Sequence, residues 1–474
     1  MSNADEIRPP HDGLHGAARN LAMLAVALSV LLSVLDYAIA NVALPTIAQD
    51  IHATASESIW VINAYQMASV ISLLPLATLG DRVGPARLCR IGLILFVVAS
   101  LLCAGSTTLL QLSLSRALQG FGGACIMSVN ANLVRHIYPR AIIGRGIALN
   151  GLVIAAGVAL GPTIASAVLS VAHWPWLFLI NLPLGGMAFL VSLLALPRIP
   201  AKPAAVDAWS AALTAGSFGS LIVGFDRLSH ADGLGVSALL IAIGGFCLFA
   251  LVRRQRGQSD PMLPLDLLAL RGFRAAVLTG FLGFVASNFF IISMPFTLMG
   301  HLHRTAVATG LLITPWPLAI VAVSPFVGRL ADRYPAAVLS GLGLCITATG
   351  FLLLFLLPNG PSDADIAWRI ALAGAGFGIF QPPNNRAMLL GAPPSRAGSA
   401  SGMISVARLL GQTVGAMLVA SVFALMGVRA NQLCLLFASA TALSAALVSF
   451  NRLRHRAAAA NGTTDGIPDK QDGA

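Results

Sequence analysis

Outward from Asn20, apolar stretches of roughly twenty residues recur some fourteen times, separated by short polar joints rich in arginine. A helix of about 20 residues rises ~30 Å, the depth of bilayer hydrocarbon, so each stretch can cross it. The pattern predicts spans at 21–45, 58–79, 88–106, 109–134, 146–171, 176–196, 208–227, 233–252, 274–299, 306–328, 337–357, 367–391, 401–427 and 431–450. This is the pattern of an all-α polytopic membrane protein with fourteen transmembrane helices, and an even number of spans puts both termini on one side. Lys and Arg number 23 on that side, whereas Arg227, Arg304, Arg369 and Arg429 fall opposite and Arg116 and Arg408 lie inside spans. An excess of basic residues marks the cytoplasmic side, so both termini are expected in the cytoplasm and the chain in the cell (inner) membrane.

Composition agrees with that reading. Hydrophobic residues make up 57 % of the 474 and charged residues 10 %, outside the range of soluble domains. The net charge of +11 is dispersed through the joints and forms no single patch, so it reads as membrane orientation and not as nucleic-acid binding. Residues 1–19 include Asp5, Glu6 and Asp12 and end in no small-residue cleavage site, which suggests a retained polar tail. The six cysteines sit in or beside apolar runs without a CxxC pair or a His at ligand spacing, so no metal is expected.

An internal repeat organises the spans. A shift of 251 residues brings Asp81 onto Asp332, Arg82 onto Arg333, Arg135 onto Arg386, Arg145 onto Arg396 and Gly151 onto Gly402. The expected divisions are a cytoplasmic tail (1–20), an N-terminal six-helix bundle (21–200), two inserted transmembrane helices (201–255), a cytoplasmic linker with Pro261 and Pro264 (256–273), a C-terminal six-helix bundle (274–452) and a disordered tail (453–474). Two parallel halves suit a transporter that exposes a midplane site alternately to each side.

The energy source follows by elimination. The lysines, Lys202 and Lys470, are followed by Pro203 and Gln471, so no phosphate-cradling loop exists and no nucleotide or other cofactor is expected. Gly374, Gly376 and Gly378 lie in an apolar run, where small residues permit close helix packing. A membrane-embedded enzyme would need clustered acids for a metal, and the sequence has no such run. A proton gradient requires a titratable group within the membrane. Asp36, about 15 residues into span 1, lies ~22 Å from the cytoplasmic edge. Arg116, about seven residues into span 4, lies ~10 Å below the outer edge, a closely matched depth. A carboxylate and a guanidinium at one depth offset each other's desolvation, and an intramembrane charge marks a functional site by default. Asp36 is thus expected to gain and lose a proton, with Arg116 shifting its affinity for it. Arg408, near mid-depth in span 13 without an acidic partner, can meet an anion, backbone carbonyls or a water-filled cavity.

Several motifs resemble the major facilitator superfamily, specifically its fourteen-span drug:proton antiporter branch, over almost the whole chain. Leu35-Asp36 with Asn41-Val42-Ala43-Leu44-Pro45 is similar to the first-span signature, and Arg116-Ala117-Leu118-Gln119-Gly120 to the span-4 motif associated with proton transfer. Gly80, Asp81, Arg82, Gly84 and Arg87 resemble the loop motif between spans 2 and 3, for which the resemblance implies a cytoplasmic latch shared with Asp332 and Arg333. Gly157, Gly161 and Pro162 resemble the span-5 antiporter motif, and Trp174 to Pro183 the entry to span 6 with Pro175 in place of a usual Arg.

The resemblance implies a cavity between the halves, for which Tyr37, Asn41, Tyr65, Asn288, Phe289, Trp316 and Gln381 are the candidate lining residues, with Arg408 as a further contact. With Asp36 as the sole core acid, one proton per cycle and a monocationic or neutral lipophilic drug are expected. Export of an endogenous metabolite or acidic natural product is the alternative. The expected partners are a small-molecule substrate, protons and the lipid bilayer, and the protein is expected to be monomeric.

Overall fold

The structure, a computed structural model, describes residues 13–139, 142–197, 199, 207–229, 233–256, 265–358, 360–393 and 396–461. Eighteen α-helices follow one another: α1 Gly16–Asp50, α2 Ala55–Ser58, α3 Trp60–Val83, α4 Pro85–Ala104, α5 Leu109–Ile137, α6 Ile143–Val171, α7 Pro175–Leu179, α8 Asn181–Ala195, α9 Ala208–Ser229, α10 Leu234–Gln255, α11 Leu265–Ala269, α12 Arg271–Phe296, α13 Ala306–Ile313, α14 Pro315–Arg333, α15 Ala336–Phe355, α16 Asp363–Leu390, α17 Ala397–Met426 and α18 Ala430–Asn461. At the ends opposite the termini, the hydroxyls of Thr108, Thr305 and Ser362 accept from the backbone N–H three residues on. These caps satisfy donors that the first helical turn leaves open. The break between α13 and α14 falls at Thr314, just before Pro315, whose ring nitrogen has no hydrogen to donate.

Among the described residues, twelve helical segments are long and apolar enough to cross a membrane. The other two expected segments form α5 and α16, of 29 and 28 residues. Both are long enough, but Arg116, Gln119, Asn130 and Asn132 in one and Arg369, Gln381, Asn384, Asn385 and Arg386 in the other keep their composition below that of an apolar span. The boundaries shift elsewhere too. α1 already begins within the expected N-terminal tail. The expected linker holds the short helix α11, with Leu267 buried, while residues 257–264 lie outside the described set. The expected disordered tail is helical from 453 to 461, where α18 continues its turn pattern, and residues 462–474 are not described.

The repeat is visible in the packing. α1 packs on α6 and α8, and α12 packs on α17 and α18; α5 packs on α3 and α4, and α16 packs on α14 and α15. The inserted pair α9 and α10 lie together, with α9 also against α3 of one bundle and α17 of the other. Toward the ends remote from the termini, one continuous apolar core joins the bundles, including Leu44, Ile47, Trp174 and Phe178 with Leu298, Leu312 and Ile313. Toward the termini the core divides. Leu88, Leu133, Ile137 and Leu196 belong to one cluster, and Phe273, Met388 and Met403 to another, with Leu74 of α3 bridging to the second.

Glycines allow close helix approaches in both bundles. A Cβ on Gly120 of α5 would stand 2.2 Å from the Tyr65 carbonyl oxygen of α3, and one on Gly374 of α16 would stand 2.4 Å from that of Trp316 on α14. Tyr65 and Trp316 are themselves related by the 251-residue shift. Gly376 likewise meets the backbone of Gly343 and Thr347, so the span-12 glycines serve helix contact. Gly120→Ala and Gly374→Ala should each cost about 1–3 kcal/mol by overpacking, read as a lower thermal midpoint of the purified protein in detergent. Gly186→Ala, which meets nothing within 4 Å, should leave the midpoint in place or raise it slightly.

Candidate functional site

The N-terminal bundle closes around one carboxylate. Asp36 of α1 is 2 % exposed, and Arg116, Gln119 and Asn181 are fully buried. Arg116 Nη1 donates to Asp36 Oδ2 at 2.5 Å, while Gln119 Nε2 and Asn181 Nδ2 donate to Oδ1 at 2.8 and 2.7 Å. The carboxylate therefore accepts three bonds from two other helices, α5 supplying Arg116 and Gln119 and α8 supplying Asn181 opposite α1. Ser100 Oγ of α4 accepts from Gln119 at 2.8 Å and from Asn181 at 3.3 Å, fixing both amides. This arrangement compensates an ionised acid removed from water.

Arg116 has further anchors. Its Nη1 also donates to Gln119 Oε1 at 2.5 Å, and its Nε to the Val61 carbonyl at 3.1 Å. Its guanidinium carbon lies 4.5 Å from the Tyr65 ring centroid and 5.6 Å from that of Phe178. The carbonyl and the two π faces do not titrate, so they can hold the cation whatever the charge on Asp36. Arg116 Nη2 and Asn181 Oδ1 are buried without a hydrogen-bond partner, which leaves one donor and one acceptor beside the carboxylate.

A second network starts one residue on and crosses between the bundles. Tyr37 accepts at its hydroxyl from Gln66 Nε2 at 3.0 Å and donates to Asn288 Oδ1 at 3.0 Å, while Asn288 Nδ2 donates to the Gln412 carbonyl. Tyr37 and Asn288 are 251 residues apart, so equivalent positions of α1 and α12 meet. Asn41 turns its amide back to the Tyr37 carbonyl at 2.7 Å. Farther from the termini, Thr163 and Thr314 share a hydrogen bond of 3.1 Å, and Ser56 donates to the Ala420 carbonyl at 2.9 Å, so the bundles are also tied there.

The repeat does not extend to the chemistry. The shift that carries α1 onto α12 takes Asp36 to Ser287, Tyr65 to Trp316 and Ser100 to Phe351. In place of the ionic cluster, Trp316 lies 4.9 Å from Phe290, 5.6 Å from Phe351 and 5.4 Å from Phe377 between ring centroids. Trp316 is therefore part of the C-terminal aromatic core, and Phe289, tilted against Phe437 at 6.0 Å, packs there too. Of the candidate lining residues, Tyr37 and Asn288 come together, Asn41 stands beside them, Tyr65 lies under Arg116, and Gln381 is half-buried on α16.

The motif residues lie where helices meet. Asp81 accepts from Asn132 Nδ2 of α5, a helix of its own bundle, at 2.9 Å. Gly80 abuts Val129, and Gly84 turns the chain at φ +101°, a region that favours glycine. Arg82, Arg87 and Arg333 are exposed without an ion pair among the described residues, and the Asp332 side chain lies outside them. Gly157 rests on Leu31 and Val34, and Gly161 on Ala38, directly behind Asp36 and Tyr37. The carbonyl of Pro162 takes the Ser166 hydroxyl and abuts Gly310 of the other bundle.

Sequence reasoning gave no role to Gln119, Asn181, Ser100 or Gln66. The available signal was an amide or hydroxyl inside an apolar span, and for Gln119 its position three residues after Arg116 on one helix face.

A model of the Major Facilitator Superfamily matches residues 26–416 and 276–466 of the chain. The chain is 45 % identical over 449 residues to the uncharacterized transporter YebQ of Escherichia coli, covering 93 % of this chain and 97 % of that one. It is 30 % identical over 411 residues to the multidrug efflux pump LfrA of Mycolicibacterium smegmatis, covering 85 % and 80 %. Among solved structures, a POT family transporter in complex with a thioalcohol conjugated peptide aligns with a TM-score of 0.71 at 14 % identity, covering 91 % and 95 %, a likeness of fold.

Because Asp36 and Arg116 each compensate the other's burial, Arg116→Met alone should cost about 3–5 kcal/mol, while the double variant Asp36→Leu/Arg116→Met should recover much of that loss. Thermal unfolding in detergent checks this, and additive losses would contradict the pairing.

Proposed function

The chain belongs to the Major Facilitator Superfamily, and from that membership and the buried Asp36–Arg116 pair we propose that it is a proton-coupled exporter of lipophilic small molecules. The observation that carries this reading is a single carboxylate held by Arg116, Gln119 and Asn181 one residue before Tyr37, which links the two bundles. On this reading the protein has fourteen spans, counting α5 and α16, lies in the inner membrane with both termini cytoplasmic, and works as a monomer. The bundles are packed together away from the termini and divided toward them, which corresponds to a state open to the cytoplasm.

In this state three donors from two helices hold the Asp36 carboxylate. Cargo entering between Tyr37, Gln66 and Asn288 displaces the Tyr37–Asn288 bond and frees α1 to move against α12. Movement of α1 relative to α5 and α8 lengthens the bonds to Asp36, which then takes a proton, while Arg116 remains on the Val61 carbonyl and the Tyr65 ring. Gly157 and Gly161 keep α6 close behind that part of α1, so the displacement passes to α6 and to Gly310 on the other bundle. Exposed Arg82, Arg87 and Arg333 re-pair when the cytoplasmic side closes, acting as the latch. One acid gives one proton per cycle.

Proteoliposomes with an imposed pH gradient test the reading. The wild-type protein should move a lipophilic dye against its gradient and release or take up protons on dye addition, and Asp36→Asn should abolish both while leaving dye binding in place. Transport and proton movement that persist unchanged in Asp36→Asn would reject the coupling role.

A further inference from the structure

Arg408 of α17 is the charged group that the proton cycle does not use. It sits 12 residues into a 30-residue helix, ~16 Å from its cytoplasmic end at 1.5 Å per residue, close to mid-depth. It forms no ion pair and no hydrogen bond among the described residues. That removes backbone carbonyls from the three partners open to it on sequence grounds. It is half-buried, on the helix that packs against α3 of the other bundle, and near enough to Tyr37 and Tyr65 for charges to interact across that boundary. Gln412, whose carbonyl receives the Asn288 amide, lies one helical turn farther from the termini on the same face. Arg408 therefore stands on the cytoplasmic side of the Tyr37–Asn288 link, where the apolar core divides and cargo would enter.

Charge decides what it can receive. Asp36 and Arg116 neutralise each other and are closed to solvent. Among the described residues Arg408 then stands near the Tyr37–Asn288 link as a cation without an ion pair, a costly state in a membrane interior. A count of buried acids alone favours a monocationic or neutral cargo; including the unpaired guanidinium reverses the sign. A cationic cargo would bring a second positive charge beside Arg408, whereas an anion would be held by a charge-assisted and potentially bidentate bond.

We propose that Arg408 recognises the anionic group of the cargo, and that the transported class is lipophilic organic monoanions, carboxylates or sulfonates on an aromatic or apolar body. The assignment rests on the transport reading above. Tyr37, Gln66 and Asn288 then contact the neutral part, one turn beyond the charge. An anionic lipid headgroup carries the same chemistry, so the test separates the two sources.

The probes are 2-naphthalenesulfonate and trimethyl(2-naphthylmethyl)ammonium, of similar size and permanently charged. Their equilibrium binding to the full-length protein is measured in phosphatidylcholine nanodiscs without any gradient, so Asp36 coupling does not enter the readout. The wild type should prefer the sulfonate by about ten-fold or more, the size of one charge-assisted bond. Arg408→Gln should remove that preference, and Arg408→Lys should retain part of it. Arg408 makes no hydrogen bond or ion pair among the described residues, so both variants should keep a thermal midpoint close to that of the wild type. Preference for the ammonium probe, equal binding, no sulfonate binding, or a sulfonate preference that survives in Arg408→Gln overturns the assignment. A sulfonate signal abolished by phosphatidylglycerol in the discs assigns Arg408 to a lipid headgroup and overturns it as well. Selective sulfonate binding with no pH-gradient-driven transport would instead remove the proton-coupled reading and leave the anion site standing.

Discussion

The ion pair between Asp36 and Arg116 constrains the whole N-terminal bundle. An ionised group in a membrane interior is tolerated when an opposite charge and hydrogen-bonding groups surround it. Here that requirement brings together α1, α3, α4, α5 and α8, through Asp36, Val61, Ser100, Gln119 and Asn181. Gly120 and its neighbours let α3 approach α5 closely enough for the Tyr65 ring to cover the guanidinium. The same polar groups set α5 apart from the apolar spans, so a helix of weakly membrane-like composition carries the ion pair.

Duplication of a six-helix unit explains the architecture but not the distribution of charge. The helix contacts of the two bundles correspond pair by pair, yet one interior is ionic and the other is a stack of Phe290, Trp316, Phe351 and Phe377. The symmetric contacts thus enclose an aromatic interior in one bundle and a hydrogen-bonded, charged one in the other.

Much of this was legible along the chain. The apolar periodicity located the helices to within a few residues, the 251-residue shift located the symmetry, and the scarcity of acids singled out Asp36, whose depth matched that of Arg116. Other features were hidden for physical reasons. An almost wholly apolar helix carries no signal for which face meets a cavity, so Phe289 and Trp316 could not be told apart from lining residues although they pack in the core. The amides of Gln119 and Asn181 gained meaning only when α5 and α8 met α1, a tertiary event with no local trace. Hydropathy also could not place residues 453–461, where Arg454, His455 and Arg456 end the apolar run yet the helix continues through four alanines.

The inserted hairpin of α9 and α10 belongs to neither bundle, and α9 lies against α3 on one side and α17 on the other. That contact covers the seam between the bundles along one flank of the molecule. On the proposed transport reading, a cargo approaching from within the leaflet meets this flank shuttered by two helices that belong to neither half.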